Sequence, residues 1–540
     1  MTGDMTRRLI APLTALCALG AAGCVDLTEV PISGITSAYY NTASGFESAV
    51  NAMYQPSRTF WALERGSTLT VFGTDEFTRG ADGSYKFFND YTAQINGDVN
   101  FLSDTWRDFY QGVNTANTVI EAAKKANIPD AQKALRTGEA RFIRALYLFT
   151  LARTFGDIPL PLTPTAGVVT ETVREPIAKV YDAIIADLLA AEAVLPDKAA
   201  QFGRADRPAA QHLLGEVYLT RAGGATSSAD FALAATKLKA VTDNPRFGLL
   251  AQYRDNFDIG NEANREVVWA IQFTPDPLTT GDGNKLHLYF TSAYDLEPGM
   301  LRDIANDRPF RRFKPTVWLL NLWDRTIDAR YEQMFKVTWI SNNPNNIPKD
   351  ASGAPKYKVG DTAVFMPGRE VTPAERAATR YKIYAPSEYT DAMFPTLNKF
   401  LDPTRTSTNE ERGQRDLVLM RLANTYLMLA EAYVRDGKAA LAVPYVNAIR
   451  TRAAKPGAAA AMQITAADLT LDFILDERAR ELTGETTRWF DLKRTGKLLE
   501  RVKKYNTAGA AGIQAFHMLR PLPNNEILLS TGGIKQNPGY

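Results

Sequence analysis

GEARFIRALYLFTLARTFGDIPL, residues 138–160, sets the fold class of this chain. Phe142, Ala145, Leu146 and Phe149 recur at intervals of three and four, with Leu135 one step upstream. That period places side chains on one face of an α-helix, so residues 134–155 are predicted helical. Gly156 and Pro159 supply the stop.

The same pattern recurs on both sides. Ile177, Val180, Tyr181, Ile184, Leu188, Ala191 and Leu195 form a second apolar face, with Pro176 near its first turn and Pro196 at its end. Residues 208–221 and 231–241 make a further pair, and a shorter helix is expected over 46–54. Far downstream, Leu419, Leu422, Ala423, Tyr426, Ala430 and Tyr433 line one face, Gly437 breaks it, and Ala442, Tyr445, Val446 and Ile449 line the next. These are helix–turn–helix pairs with small residues at close-contact positions, similar to tetratricopeptide-type units. Their uneven spacing argues against a regular solenoid.

Between the pairs lie two stretches without helical period. Residues 274–415 are rich in Gly, Pro, Asn and Asp and carry Tyr289, Phe290, Tyr294, Trp318, Trp323, Tyr331 and Trp339. Residues 61–110 are similar, with Tyr85, Phe87, Phe88, Tyr91 and Phe101 interleaved with Asn89, Gln94, Asn96 and Asn100. An aromatic ring packs on the apolar face of a sugar while amides bond its hydroxyls. Tyr85, Phe88, Tyr91, Tyr289 and Tyr294 are therefore the expected ligand-binding residues.

The chain has 540 residues, 45% hydrophobic and 23% charged, an ordinary soluble composition. Its 62 Lys plus Arg against 60 Asp plus Glu give a formal charge of +2. That balance offers no electrostatic case for nucleic acid. Its two cysteines are Cys17 and Cys24. Arg7 and Arg8 precede a short apolar run that ends in Ala21-Ala22-Gly23-Cys24. The run is too short to span a bilayer comfortably and reads as an export signal over residues 1–23. Two readings compete for Cys24: a leftover thiol near an ordinary cleavage site, or a bacterial lipobox whose cysteine is lipidated. The second also explains a mature chain without any other thiol, suited to an oxidising compartment. Ala21 stands where a lipobox favours leucine. Residues 24–45, with Pro31 and Gly34, are then a tether.

Catalytic signatures are missing. The sequence holds no GxSxG, HExxH or GxxxxGK[ST] motif. Residues 255–266 match an EF-hand loop at Gly260 and Glu266 but place Phe257 and Ile259 where oxygen ligands belong, so no metal and no cofactor is expected. A carboxylate pair for glycoside hydrolysis stays open, because 60 acidic residues offer too many pairs. Around RWFDLKR (488–494), Glu477, Glu481 and Glu485 alternate with Arg478, Arg480 and Arg488, which reads as an ion-pair network with Trp489 and Phe490 packed inward.

Six blocks occur in order and carry a family resemblance: GEARFIRALYLFTLARTFGDIPL (138–160), DTWRDFYQGVNTANTVIE (104–121), EVVWAIQF (266–273), RLANTYLMLAEAYVRDGKAALAVPYVNAIRTRA (421–453), ILDERARELTGETTRWFDLKRTGKL (474–498) and LRPLPNNEILLSTGGIKQNPGY (519–540). Together they resemble the SusD/RagB family across the whole mature chain. The resemblance implies a mainly α fold, with four tetratricopeptide-like pairs supporting a loop-rich face. It divides the chain into an N-terminal helical region, 46–260, and a C-terminal region, 261–540, with 274–415 as a loop-rich insertion. It also implies a non-enzymatic lipoprotein anchored through Cys24 to the outer membrane and facing the cell exterior. Its partners would be a glycan or other nutrient and a SusC-like TonB-dependent transporter. A surface glycoside hydrolase and a protein-binding helical scaffold are the alternatives.

Overall fold

The computed structural model describes residues 39–540. Cys24, the leader and most of the tether lie outside the described residues. Eight helices form the frame: α1 Ala43–Ala52, α2 Asn100–Ala122, α3 Asp130–Phe155, α4 Ile177–Val194, α5 Arg207–Ala222, α6 Ala229–Thr242, α7 Leu422–Arg435 and α8 Ala439–Ala453. Each packs on the next, so the chain builds four successive pairs. The fold is mainly α, as the periodicity predicts.

Local chemistry sets the helix ends. α1 begins at Ala43 rather than at the expected residue 46, because the Thr42 side chain accepts from Gly45 N. Asp206 caps α5, accepting from Ala209 N at 3.1 Å, and Pro208 sits in its first turn. α3 stops at Gly156, whose φ of +84° favours glycine. Glycine also permits close helix approach. A Cβ on Gly112 of α2 would lie 2.4 Å from the Tyr147 ring of α3, and one on Gly215 of α5 would lie 2.4 Å from Leu238 of α6.

The chain leaves this array after α6 and rejoins it at α7, yet α6 and α7 pack directly. The exit and return strands lie side by side: β2 Val267–Ile271 pairs antiparallel with β4 Leu417–Arg421. The excursion has structure that its composition does not announce. Thr338–Ile340, Thr362–Phe365 and Lys382–Ile383 form a three-stranded sheet. They cover a small separate core of Tyr294, Met300, Trp339, Val364 and Met366.

Past the pairs come α9 Leu471–Leu482 and α10 Arg488–Arg494. The glutamates of this region are ion-paired, but mostly with partners far away in sequence. Arg330 reaches Glu477 at 2.8 Å and Glu481 at 3.1 Å. Arg421 reaches Glu481, and also Glu485, at 2.7 Å. Lys399 pairs with Glu485 at 2.7 Å. Trp489 and Phe490 are buried. The network ties the excursion and the strand return to α9, which sequence proximity alone does not suggest.

Candidate functional site

The two aromatic stretches meet in space. β1 Phe77–Arg79 pairs antiparallel with β3 Phe313–Pro315, in the register Phe77↔Pro315 and Arg79↔Phe313. Neighbouring loops lock the corner: Ala81 N donates to Asp391 O at 2.7 Å, and Arg311 pairs with Asp82 at 2.6 Å.

Beneath the corner is an aromatic floor. Phe72 and Phe313 lie 4.9 Å apart, Phe77 and Phe290 5.0 Å, and Phe290 and Phe313 5.2 Å, as ring centroids. Burial corrects the expectation for four of the five predicted residues. Phe88 is fully buried. Tyr91 is buried, its hydroxyl donates to Gly73 O at 2.7 Å, and burial pushes that hydroxyl up to about 12. Tyr289 is buried against Phe313 and Phe310. Tyr294 belongs to the core of the excursion, and its hydroxyl donates to Asp307 O at 2.7 Å. Each ring has both faces occupied by protein, so none stacks on a ligand. Large aromatics usually fill cores, and sequence alone does not reveal which face solvent.

Tyr85, the fifth, is half-buried at the rim. Its ring lies face to face with Phe101, with centroids 3.7 Å apart and planes at 18°. Phe87 joins at 5.8 Å. The Tyr85 hydroxyl donates to Asn100 Oδ1 at 2.9 Å, which fixes the ring's orientation. Asn100 is exposed, as are Gln94 and Asn96 earlier in the same segment. Phe87 and Phe101 are thus the residues that the sequence reading passed over. Phe101 is the second residue of α2 and is half-buried there, packed at the margin of the main core. A second half-exposed pair, Trp318 stacked on Tyr505 at 4.7 Å, lies beyond β3, with the Arg501 guanidinium 4.9 Å above Trp318.

The rim is chemically suited to a ring with an apolar face and hydroxyls: an aromatic ledge with the Asn100 amide in reach. One strongly raised carboxyl lies elsewhere. Burial, with Glu262 nearby, pushes Asp416 up to about 6. Both carboxylates line a cavity of about 20 Å³, room for a single water and not for a sugar ring. Among the described residues, no group of three or more His, Cys, Asp or Glu is placed to hold a metal ion.

Comparison with known proteins gives a consistent result. Residues 324–540 match the model described as SusD family, and residues 46–219 match one described as starch-binding associating with outer membrane. The chain belongs to the SusD/RagB family. Among curated SusD/RagB relatives, SusD-like protein P2 of Formosa agariphila is 27% identical, over 97% of this chain and 98% of its own length. A SusD-like protein of Bacteroides ovatus is 29% identical over 48% of this chain and 49% of its own. Among solved structures, a laminarin binding SusD-like protein superposes with a TM-score of 0.69 at 24% identity, covering 93% of this chain and all of that one. A SusD homolog from Bacteroides thetaiotaomicron gives 0.72 at 20% identity, covering 93% of this chain and 98% of that one. Surface glycan-binding protein A from Bacteroides uniformis gives 0.68 at 19% identity, covering 92% and 99%. These superpositions establish the SusD-like fold.

Proposed function

We propose that this protein is a non-enzymatic glycan-binding lipoprotein of the outer membrane, held at the cell exterior through Cys24, that passes an oligosaccharide to a SusC-like TonB-dependent transporter. The Tyr85–Phe101 ledge with its exposed amide carries the reading. A half-exposed aromatic pair gives a sugar an apolar platform, and the exposed Asn100 amide beside it is placed for a hydroxyl. Family membership supports it, as do relatives named for laminarin and surface-glycan binding.

Among the described residues no helix is long and apolar enough to cross a membrane, and in this reading translocation falls to the transporter. Titration of the chain against neutral glucans and other glycans, with co-purification in detergent, tests both parts. Binding of a glycan and recovery of a barrel transporter are expected. A chain that binds no glycan, or purifies without a transporter, overturns the corresponding part.

A further inference from the structure

Two cavities, of about 540 and 480 Å³, flank one turn beside β2. Each falls within the size range of small-ligand pockets. They share Gln201, Phe202, Gly203, Arg204 and Trp269, and no residue of the ledge.

The turn at 201–204 is held from every side. Arg204 N donates to Gln201 O at 3.3 Å, and Trp269 Nε1 donates to Gly203 O at 2.9 Å. The Arg204 guanidinium donates to Asn51 at 2.7 Å, Gln201 at 2.8 Å and Glu139 at 3.1 Å. Gly203 has φ +85°, and a Cβ there would lie 2.6 Å from the Gln272 side chain. What this fixed turn holds out is Phe202, 36% exposed between the two cavities. A ring ordered before any ligand arrives loses little entropy on contact.

The charge around it is one-sided. Arg58 lines the first cavity, and Arg265 and Lys198 line the second. None of the three is ion-paired with a described carboxylate; Arg58 donates to Thr279 O and Arg265 to Phe247 O, both main-chain groups. The one lining carboxylate, Asp206, is already paired with Arg246 at 2.7 Å. Amides of Asn51, Gln55 and Gln272 complete the first wall.

We propose that these paired cavities are a second carbohydrate site, for an oligosaccharide bearing carboxylates. A sugar ring stacks on Phe202, and uronate groups on either side meet Arg58 and the Arg265–Lys198 pair. An acidic peptide would instead be expected to add along the unpaired edge of β2. The turn instead meets the strand through the Trp269 side chain and abuts that of Gln272, and what it offers is the Phe202 ring, a platform for a sugar rather than a main-chain edge.

The test titrates the full chain in detergent with oligogalacturonate, oligomannuronate and a glucuronate-containing oligosaccharide. It is run in wild type and in Tyr85→Ala, so that binding at the ledge is told apart from binding here. At least one uronate oligosaccharide is expected to bind in both backgrounds, more weakly at high salt and more weakly after methyl esterification. Phe202→Ala, at an exposed position, is expected to reduce affinity by about tenfold. Arg58→Gln and Arg265→Gln are expected to reduce it and to flatten the salt dependence. Circular dichroism of each variant establishes folding. The site is overturned if no uronate oligosaccharide binds, if the methyl ester binds equally, if folded Phe202→Ala binds like wild type, or if a hexaglutamate peptide competes with equal affinity.

Discussion

Arg488 clasps Asp75 from 413 positions away, Nε to Oδ1 at 2.7 Å and Nη2 to Oδ2 at 2.6 Å. Both side chains are buried, and Arg501 adds a third contact to the same carboxylate at 2.6 Å. Asp75 lies two residues before β1, so this pair ties the ledge segment to α10. Asp75→Ala strands the buried Arg488 guanidinium, while Arg501 keeps its pairs with Asp476 and Asp472. The expected loss is about 3–5 kcal/mol, because the desolvation of the remaining charge is no longer offset. Urea unfolding measures it; a wild-type midpoint would show that the pair holds nothing together.

The neighbouring carboxyl behaves oppositely. Burial pushes Glu76 up to about 8, against the partial pull of Arg488 and helped by the charge on Asp75. An unfolded glutamate titrates at about 4.3, so the folded state holds a proton that the unfolded chain releases. Glu76 therefore supports folding fully below about pH 4.3, and its contribution is lost as pH rises toward 8. Between about pH 5 and 7, wild type should lose stability relative to Glu76→Gln, which cannot ionise. Glu481 and Asp491 stay out of this window: burial raises both, but surrounding arginines outweigh it and hold them near 2. Chemical denaturation of both chains across that range is the measurement, and parallel curves refute the assignment.

The helical frame was legible because amphipathic period is a local property. Phe142, Leu146 and Phe149 face the core as their spacing requires. The ion-pair reading of the 477–488 segment was half legible. The charges were visible, but Arg330, Arg421 and Lys399 come from elsewhere in the chain. The ledge was least legible. Tyr85 and Tyr91 sit six residues apart in one loop, and nothing local distinguishes the rim ring from the floor ring. That difference is made by the C-terminal segment, more than 400 residues downstream, whose His517 packs 5.1 Å from the Tyr91 ring and whose Arg520 lies 6.0 Å over it.

Trp489 is packed on all sides, edge to face with Phe490 at 5.4 Å and under the Arg520 guanidinium at 4.6 Å. Trp489→Ala should cost about 3–5 kcal/mol while leaving ligand affinity unchanged in the folded fraction. A variant that melts like wild type but binds no glycan would place Trp489 at a site instead.

Cys24→Ser should yield a chain without lipid. The basis is the short apolar run ending in Ala21-Ala22-Gly23-Cys24, with no thiol after it. Mass spectrometry of the mature wild-type protein is expected to find residue 24 first and acylated. Cleavage elsewhere, or an unmodified terminus, removes the anchor from the proposed function.

Tyr85 separates binding from folding. Its ring is half-exposed, with Phe101 against one face, Phe87 beside it at 5.8 Å and a hydroxyl bond to Asn100. Tyr85→Ala should therefore melt close to wild type and weaken glycan binding by about 1–3 kcal/mol, on the scale known for base–aromatic stacking. Tyr289→Ala, from the buried floor, should do the reverse: a large loss of stability, with affinity kept in whatever remains folded. Tyr85→Phe divides the effect further. It keeps the platform but loses the bond to Asn100, so it should retain most of the affinity if stacking dominates. Calorimetry and thermal melts on the three variants give the comparison. Equal affinity of Tyr85→Ala and wild type for every glycan that wild type binds would move the site away from the ledge, and the Trp318–Tyr505 pair would be the next surface to test.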